Sequence, residues 1–217
     1  MKPVFFHLAR FFLAPILDKF FIEKIEGLEN IPKENNFIVA VNHESNLDHF
    51  LIAFCLKDRL RKIHFIGKME GLFQTILFWG FYFLTETISL DRRKKEKRGV
   101  LEKALVYLKK GDIIIIYPEG TRNKESSLRK GKTGAAELAI KSSLPILPMG
   151  LKKGEKKYFI KIGKPLFFEK NKEEDYLYFR EMTDKIMKEI ASLCGKKYII
   201  CSCDNGNQNL VNKTWFP

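Results

Sequence analysis

His43 stands five residues before Asp48 in the run Asn42-His43-Glu44-Ser45-Asn46-Leu47-Asp48. An imidazole that meets a carboxylate can serve as a general base: the acid accepts one ring N–H, fixes the tautomer, stabilises the imidazolium and leaves the other nitrogen free. Residues five apart in a continuous helix point about 140° away from each other. His43 must therefore lie in a loop, ahead of a helix that begins near Leu47 and carries Asp48 in its first turn. Ser45 or Asn46 can cap that helix, and its dipole favours the carboxylate. No Gly-x-Ser-x-Gly elbow occurs, and Ser45 is too close to His43 in sequence to act as a nucleophile. The proton to be removed is then expected on a substrate hydroxyl.

A second polar cluster, Pro118-Glu119-Gly120-Thr121-Arg122, directly follows the run Ile113-Ile114-Ile115-Ile116-Tyr117. Gly120 permits a tight turn, and Arg122 offers planar, permanently charged donors suited to a phosphate. An uncompensated guanidinium so near the core is costly, so Glu119 is expected to pair with Arg122 or orient it. Lys68 follows a third apolar run and Asp91-Arg92-Arg93 a fourth. Gly131-Lys132-Thr133 looks like the end of a nucleotide-binding P-loop, but Ser126 holds the place of its first glycine and no strand leads into it. ATP and GTP are not expected ligands.

Short apolar runs that read as strands fall at Phe37–Val41, Ile63–Ile66, Thr87–Leu90, Ile113–Tyr117, Ile146–Met149 and Tyr158–Ile162. Between them lie helical patterns at roughly 47–60, 72–84, 95–110, 132–142 and 173–193. The alternation predicts an α/β fold, a mixed, largely parallel sheet flanked by helices, with Ile113–Ile116 as a central strand buried on both faces. Ligands of such sheets bind beyond the carboxyl ends of the strands. Four polar clusters, those after Val41, Ile66, Leu90 and Tyr117, follow strand ends, which places them on one edge. Residues 1–23 are expected as an interfacial helical segment, 24–200 as the chemical domain and 201–217 as a flexible polar tail.

Lys plus Arg total 39 against 26 Asp plus Glu, a net charge of +13, with 45% apolar and 13% aromatic residues. That composition excludes disorder and suggests an anionic partner. Nineteen Phe residues tilt the choice from nucleic acid to lipid. No run of about 18 uncharged apolar residues occurs, so a spanning helix is not expected; nor is a secretory signal, since Arg10, Asp18 and Lys19 interrupt the first segment. Paired phenylalanines (Phe5-Phe6, Phe11-Phe12, Phe20-Phe21) instead suggest one or two short amphipathic helices, lying in a bilayer interface or packed on the chain's own domain, and the greasy stretch from Gly71 to Leu84 is either buried or lipid-facing. The four cysteines, at 55, 194, 201 and 203, form neither a disulfide framework nor a zinc knuckle. A reduced compartment and no metal are expected.

Asn42-His43 with Asp48, Pro118-Glu119-Gly120-Thr121-Arg122 and Leu144-Pro145-Ile146-Leu147-Pro148 resemble, in order and spacing, the blocks of the glycerolipid acyltransferases, in particular the 1-acylglycerol-3-phosphate acyltransferases. The likeness spans most of residues 24–165 and includes Gly27-Leu28-Glu29-Asn30-Ile31-Pro32, Lys68, Asp91-Arg92 and Lys132-x-Gly134. It implies that His43 is the base and Asp48 its partner. It further implies that Glu119, Gly120, Thr121 and Arg122, with Arg92 and Lys68, shape the acceptor phosphate site. The chain departs from the family pattern where Glu86 or Thr87 replaces a usual glycine.

The implied reaction moves a fatty acyl group from acyl-CoA or acyl-carrier protein to a lysophospholipid, most simply 1-acylglycerol-3-phosphate, giving phosphatidic acid at the cytoplasmic face of a membrane, with no cofactor and no nucleic acid. Two rivals remain: a non-catalytic basic module for anionic lipid or nucleic acid, with Arg92-Arg93-Lys94-Lys95 and Lys152-Lys153 to Lys156-Lys157 as contacts, and a thioesterase or lipid hydrolase that uses water as acceptor.

Overall fold

Runs such as Ile38-Val39-Ala40-Val41 and the four isoleucines 113–116 are apolar on both alternating faces, so a strand built from them needs cover on both sides. The computed structural model, which describes residues 11, 14–67, 85, 87–89, 97–170 and 175–199, supplies that cover. The described helices are α1 (Ala14–Phe21), α2 (Asp48–Cys55), α3 (Lys97–Lys109), α4 (Gly134–Ser142) and α5 (Tyr176–Cys194). The strands are β1 (Ile22–Glu26), β2 (Ile38–Val41), β3 (Ile63–Gly67), β4 (Ile88–Ser89), β5 (Ile113–Ile116), β6 (Ile146–Lys153) and β7 (Tyr158–Ile162). Short 3-10 turns occupy Leu28–Asn30 and Lys57–Lys62.

These strands make one sheet in the order β1-β7-β6-β2-β5-β3-β4. Every neighbouring pair is parallel except β6 and β7, which form an antiparallel hairpin. The fold is thus the mixed, largely parallel α/β sheet that the alternation of runs predicts. Side chains sort by strand period. Ile38, Ala40, Ile114, Ile116 and Ile146 pack with Ala104, Leu108, Leu138, Ile186 and Ile190 from α3, α4 and α5. Val39, Val41, Phe65, Ile113, Ile115 and Leu147 face the other way, onto Leu51, Ile52 and Cys55 of α2.

Three local differences from the sequence pattern have physical causes. β1 follows α1 without any Gly or Pro between them; it is a half-polar edge strand, with Ile22 alone fully inside, so its alternation is weak. β6 runs past Met149 to Lys153 because Gly150–Lys153 pair with β7, where an isolated reading of Lys152-Lys153 gives only a charged face. The helix expected over 47–60 breaks at Leu56, and a 3-10 turn carries the chain into β3. The pattern at 72–84, most of residues 1–13 and the tail 201–217 lie outside the described residues.

α1 leaves Ile16, Phe20 and Phe21 exposed, as Phe11 is just before it; Phe20 is 58% accessible. Among the described residues, no helix is long and apolar enough to cross a membrane.

The carboxyl end of α5 packs directly on β6. A Cβ on Gly150 would lie 2.5 Å from both the carbonyl carbon of Leu193 and the nitrogen of Cys194, backbone atoms that cannot swing aside. Gly150→Ala is therefore expected to destabilise the protein by about 1–3 kcal/mol, the usual cost of overpacking a fitted core. Urea denaturation of both proteins measures it, and equal midpoints would show that α5 can shift freely.

Candidate active site

β2 and β5 are adjacent and parallel, with Ala40 opposite Ile116, so the loops that leave them emerge side by side. The first begins with Asn42, whose side chain stands in for a strand: its Nδ2 donates to Leu151 O (2.9 Å), and its Oδ1 accepts from Leu151 N (2.8 Å). That pairing holds the chain as it peels from the sheet and delivers His43.

Asp48 is completely buried. Its Oδ2 accepts from His43 Nδ1 (2.8 Å), Glu44 N (2.7 Å) and Ser45 N (2.8 Å), and its Oδ1 accepts from Ser45 Oγ (2.9 Å). His43 thus sits in the loop and Asp48 in the first turn of α2. The capping differs from expectation. Leu47 holds the N-cap position with no side-chain cap; the Ser45 hydroxyl donates to Asp48 and accepts from Leu47 N (3.2 Å), one residue ahead of the helix, while Asp48 gathers the N–H groups of Glu44 and Ser45. Ser45 has one proton and gives it to Asp48, so Tyr158 of β7 donates its O–H to Ser45 Oγ (3.2 Å).

A carboxylate can only accept, so the proton between Asp48 and His43 belongs to Nδ1 and the lone pair to Nε2. Nε2 makes no hydrogen bond among the described residues, and the ring keeps 13% of its surface exposed. Tyr117, the residue after β5, stacks on one face of the ring with centroids 4.0 Å apart, and His49 meets its edge at 5.4 Å. Burial first, and the charge of His43 second, push His49 down to about 4. It is a neutral neighbour near pH 7.

The second loop turns sharply: Gly120 N donates to Tyr117 O (2.9 Å), with Pro118 and Glu119 at the corner. Gly120 is left-handed (φ 66°), and a Cβ there would also strike Lys132 Cε and Nζ at 2.8 Å. Beyond it, Thr121 and Arg122 are exposed, and Arg122 Nη1 donates to Asn46 Oδ1 (3.2 Å). The guanidinium therefore touches the loop that carries His43. Asn123 N donates to His43 O (2.7 Å), tying the two loops backbone to backbone.

The expected pairing of Glu119 with Arg122 does not form. Glu119 is only 4% exposed, and its Oε2 accepts from Asn123 Nδ2 (2.6 Å) and Arg129 N (2.9 Å) instead. Neutral donors inside the loop satisfy that oxygen without burying a guanidinium beside it. Oε1 has no hydrogen-bond partner among the described residues. Lys68 and Arg92 lie outside the described residues; β3 and β4 end at Gly67 and Ser89 on the same edge of the sheet as β5.

Several residues of the site carry no sequence signal that the motifs could supply. Tyr117 and His49 read as a strand end and a helix residue, and Asn123 and Tyr158 stand outside the two clusters. Only Tyr117 was within reach, as the last apolar residue before Pro118. The described thiols, Cys55 and Cys194, are buried and pushed up by burial, Cys55 to about 12, which leaves them poor nucleophiles. No group of three or more His, Cys, Asp or Glu suited to a metal occurs among the described residues.

Residues 23–152, more than half of the chain, match the family described as Acyltransferase. The chain belongs to that acyltransferase family. It is 30% identical over 130 residues to the 1-acyl-sn-glycerol-3-phosphate acyltransferase of Borreliella burgdorferi, covering 58% of this chain and 50% of that protein. It is also 30% identical over 142 residues to the enzyme of the same name from Pseudomonas aeruginosa, covering 64% and 52%. The chain spans about half the length of the curated relatives it matches. Its fold resembles the crystal structure of the 1-acyl-sn-glycerophosphate (LPA) acyltransferase PlsC from Thermotoga maritima, with a TM-score of 0.59 and 24% identity over 86% of this chain and 82% of that one.

Burial raises Glu119 above the ordinary carboxylate range, against the lowering effect of Arg129 N–H, Asn123, Lys196 and His43 N–H. A raised folded value means that the native state holds the proton more tightly than the unfolded chain. Its stabilising contribution is full below the unfolded carboxylate range and is lost as pH rises through the folded value. Glu119→Gln, which keeps an acceptor for Asn123 and Arg129, should therefore gain stability over wild type as pH rises from about 4 to 7. Urea titrations across that interval test it; a stability difference independent of pH would contradict it.

Proposed function

We propose that this chain is an O-acyltransferase that moves a fatty acyl group from acyl-CoA or acyl-carrier protein to the free hydroxyl of 1-acylglycerol-3-phosphate, giving phosphatidic acid. The observation that carries the reading is the oriented imidazole. His43 has Nδ1 bound to a buried carboxylate and Nε2 without a hydrogen-bond partner among the described residues, and the exposed guanidinium of Arg122 reaches Asn46 in the same loop. Family membership and the names of the relatives support it from a separate direction.

In this reading His43 Nε2 takes the proton of the acceptor hydroxyl as its oxygen attacks the thioester carbonyl. The tetrahedral oxyanion collapses, the carbon–sulfur bond breaks, and the departing thiolate takes the proton back from the imidazolium. Asp48 holds the ring and balances its transient charge. Arg122 binds the acceptor phosphate, with Lys68 and Arg92 as further cations, while Glu119, Gly120 and Thr121 shape the loop that presents it. The exposed apolar side chains of α1 would hold the enzyme as a peripheral or monotopic protein at the cytoplasmic membrane face, where its lipid acceptor resides.

His43→Ala is expected to lower thiol release on membranes supplied with lysophosphatidate by about 10²–10⁴-fold, the usual worth of general-base help, with the fold unchanged. Full activity in that variant would remove His43 from the mechanism. Thiol release that needs no added lysolipid would favour a hydrolase, and loss of binding by salt with indifference to His43 would favour a basic binding module. Arg122→Ala should raise KM for the phosphorylated acceptor and leave that of the thioester donor unchanged. A change confined to the donor would move Arg122 to another role.

A further inference from the structure

The match to the acyltransferase family ends at residue 152, yet the dyad loop has polar contacts from beyond that point. Gly195 ends α5 in the left-handed conformation (φ 70°), which turns the chain back along the outer loop. Lys197 N donates to Ser126 O (3.0 Å), and Leu128 N donates to Lys197 O (2.8 Å). That short backbone pairing fixes Lys196 between the two motif loops. Its Nζ lies 2.7 Å from Glu44 Oε1, the residue after His43, and donates to Asn123 O (3.0 Å), the residue after Arg122.

Both side chains of the Lys196–Glu44 pair are nearly buried, at 11% and 13% exposure. An ion pair taken this far from water is geometrically demanding rather than a loose surface contact. Glu44 and Asn123 are also parts of the scaffold already described: Glu44 N donates to Asp48, and Asn123 N to His43 O. One ammonium group therefore closes a ring of contacts through His43, Glu44, Lys196 and Asn123.

We propose that Lys196 is a positioning residue for acyl transfer, locking the loop that carries His43 to the loop that carries Arg122. The proposal rests on the acyltransferase reading and adds to it the segment after α5. A phosphate held by Arg122 places the acceptor hydroxyl at His43 only if the two loops keep a fixed separation, and misplacement of about 1 Å can cost on the order of 10²-fold in rate. Loosening the clamp should therefore lower kcat while each loop still binds its own part of the substrate.

Three variants test this: Lys196→Met, Lys196→Met with Glu44→Gln, and Lys196→Arg. The double variant matters because Lys196→Met alone strands a buried carboxylate and can unfold the chain, whereas removing both charges does not. Turnover of oleoyl-CoA with 1-oleoylglycerol-3-phosphate is read beside thermal melting and amide hydrogen exchange. The double variant is expected to melt near wild type, lose about 10–100-fold in kcat with little change in acceptor KM, and exchange faster at residues 43–46 and 120–128. Lys196→Arg, which keeps a donor for both partners, should retain most of the turnover.

A double variant that recovers wild-type kcat, a loss that merely follows the unfolded fraction, a loss confined to KM, or an Arg variant as slow as the Met variant would each overturn the proposal. Should wild type release no thiol with any acceptor, the acyltransferase reading fails on its own. Hydrogen exchange then decides the clamp: faster exchange in both loops retains it, and unchanged exchange removes it.

Discussion

A carboxylate with no exposed surface must find its hydrogen-bond donors inside the protein, and Asp48 finds four. Effective penalties for taking an ion out of water are several kcal/mol, while hydrogen bonds to a charged group are worth about 1.5–3 kcal/mol each. The two are comparable only if no donor is missing, so Asp48 constrains everything around it. The backbone N–H groups of Glu44 and Ser45 must converge, which bends the loop; the bend sets His43 over the carboxylate; and the ring keeps one nitrogen without a hydrogen-bond partner among the described residues. The orientation of the imidazole is a consequence of satisfying its neighbour.

The sheet makes that local solution useful. Parallel pairing of β2 with β5 puts two carboxyl ends next to each other, so a loop shaped by Asp48 and a loop shaped by Glu119 share one edge. Each loop is organised by a buried acid that accepts from its own loop's donors. The two acids differ in outcome, since both oxygens of Asp48 are satisfied whereas Oε1 of Glu119 has no partner among the described residues. Burial accordingly governs the titration of Glu119. The charge that faces outward is Arg122, which donates to the neutral Asn46 amide and pairs with no acid among the described residues, an arrangement suited to an anion.

Legibility from sequence followed contact range. The His43–Asp48 geometry could be read because a loop followed by a helix start is decided within seven residues, and the isoleucine run of β5 because its burial on both faces is written into its composition. β1 could not be read, since an edge strand with one buried face, continuous with a helix, carries little periodicity. The Glu119–Arg122 expectation failed because neighbours in sequence compete with donors the sequence does not show to be near: Arg129 N reaches Glu119 from ten residues away. Tyr158, 113 residues from Ser45, reaches it only once β7 has formed its hairpin with β6.

The same reasoning explains why the site extends beyond the two motifs. The side chains of His43, Ser45 and Asn123 turn inward to Asp48 and Glu119, so the outer surfaces of those loops need support from elsewhere. Gly150 lets α5 approach β6 to backbone distance, and that approach sets where Gly195 can turn the chain and where Lys196 arrives. A tertiary contact with no side chain on one partner thus fixes the position of a charge near the imidazole. The precision of the site depends on packing between α5 and the sheet as much as on the residues that would meet a substrate.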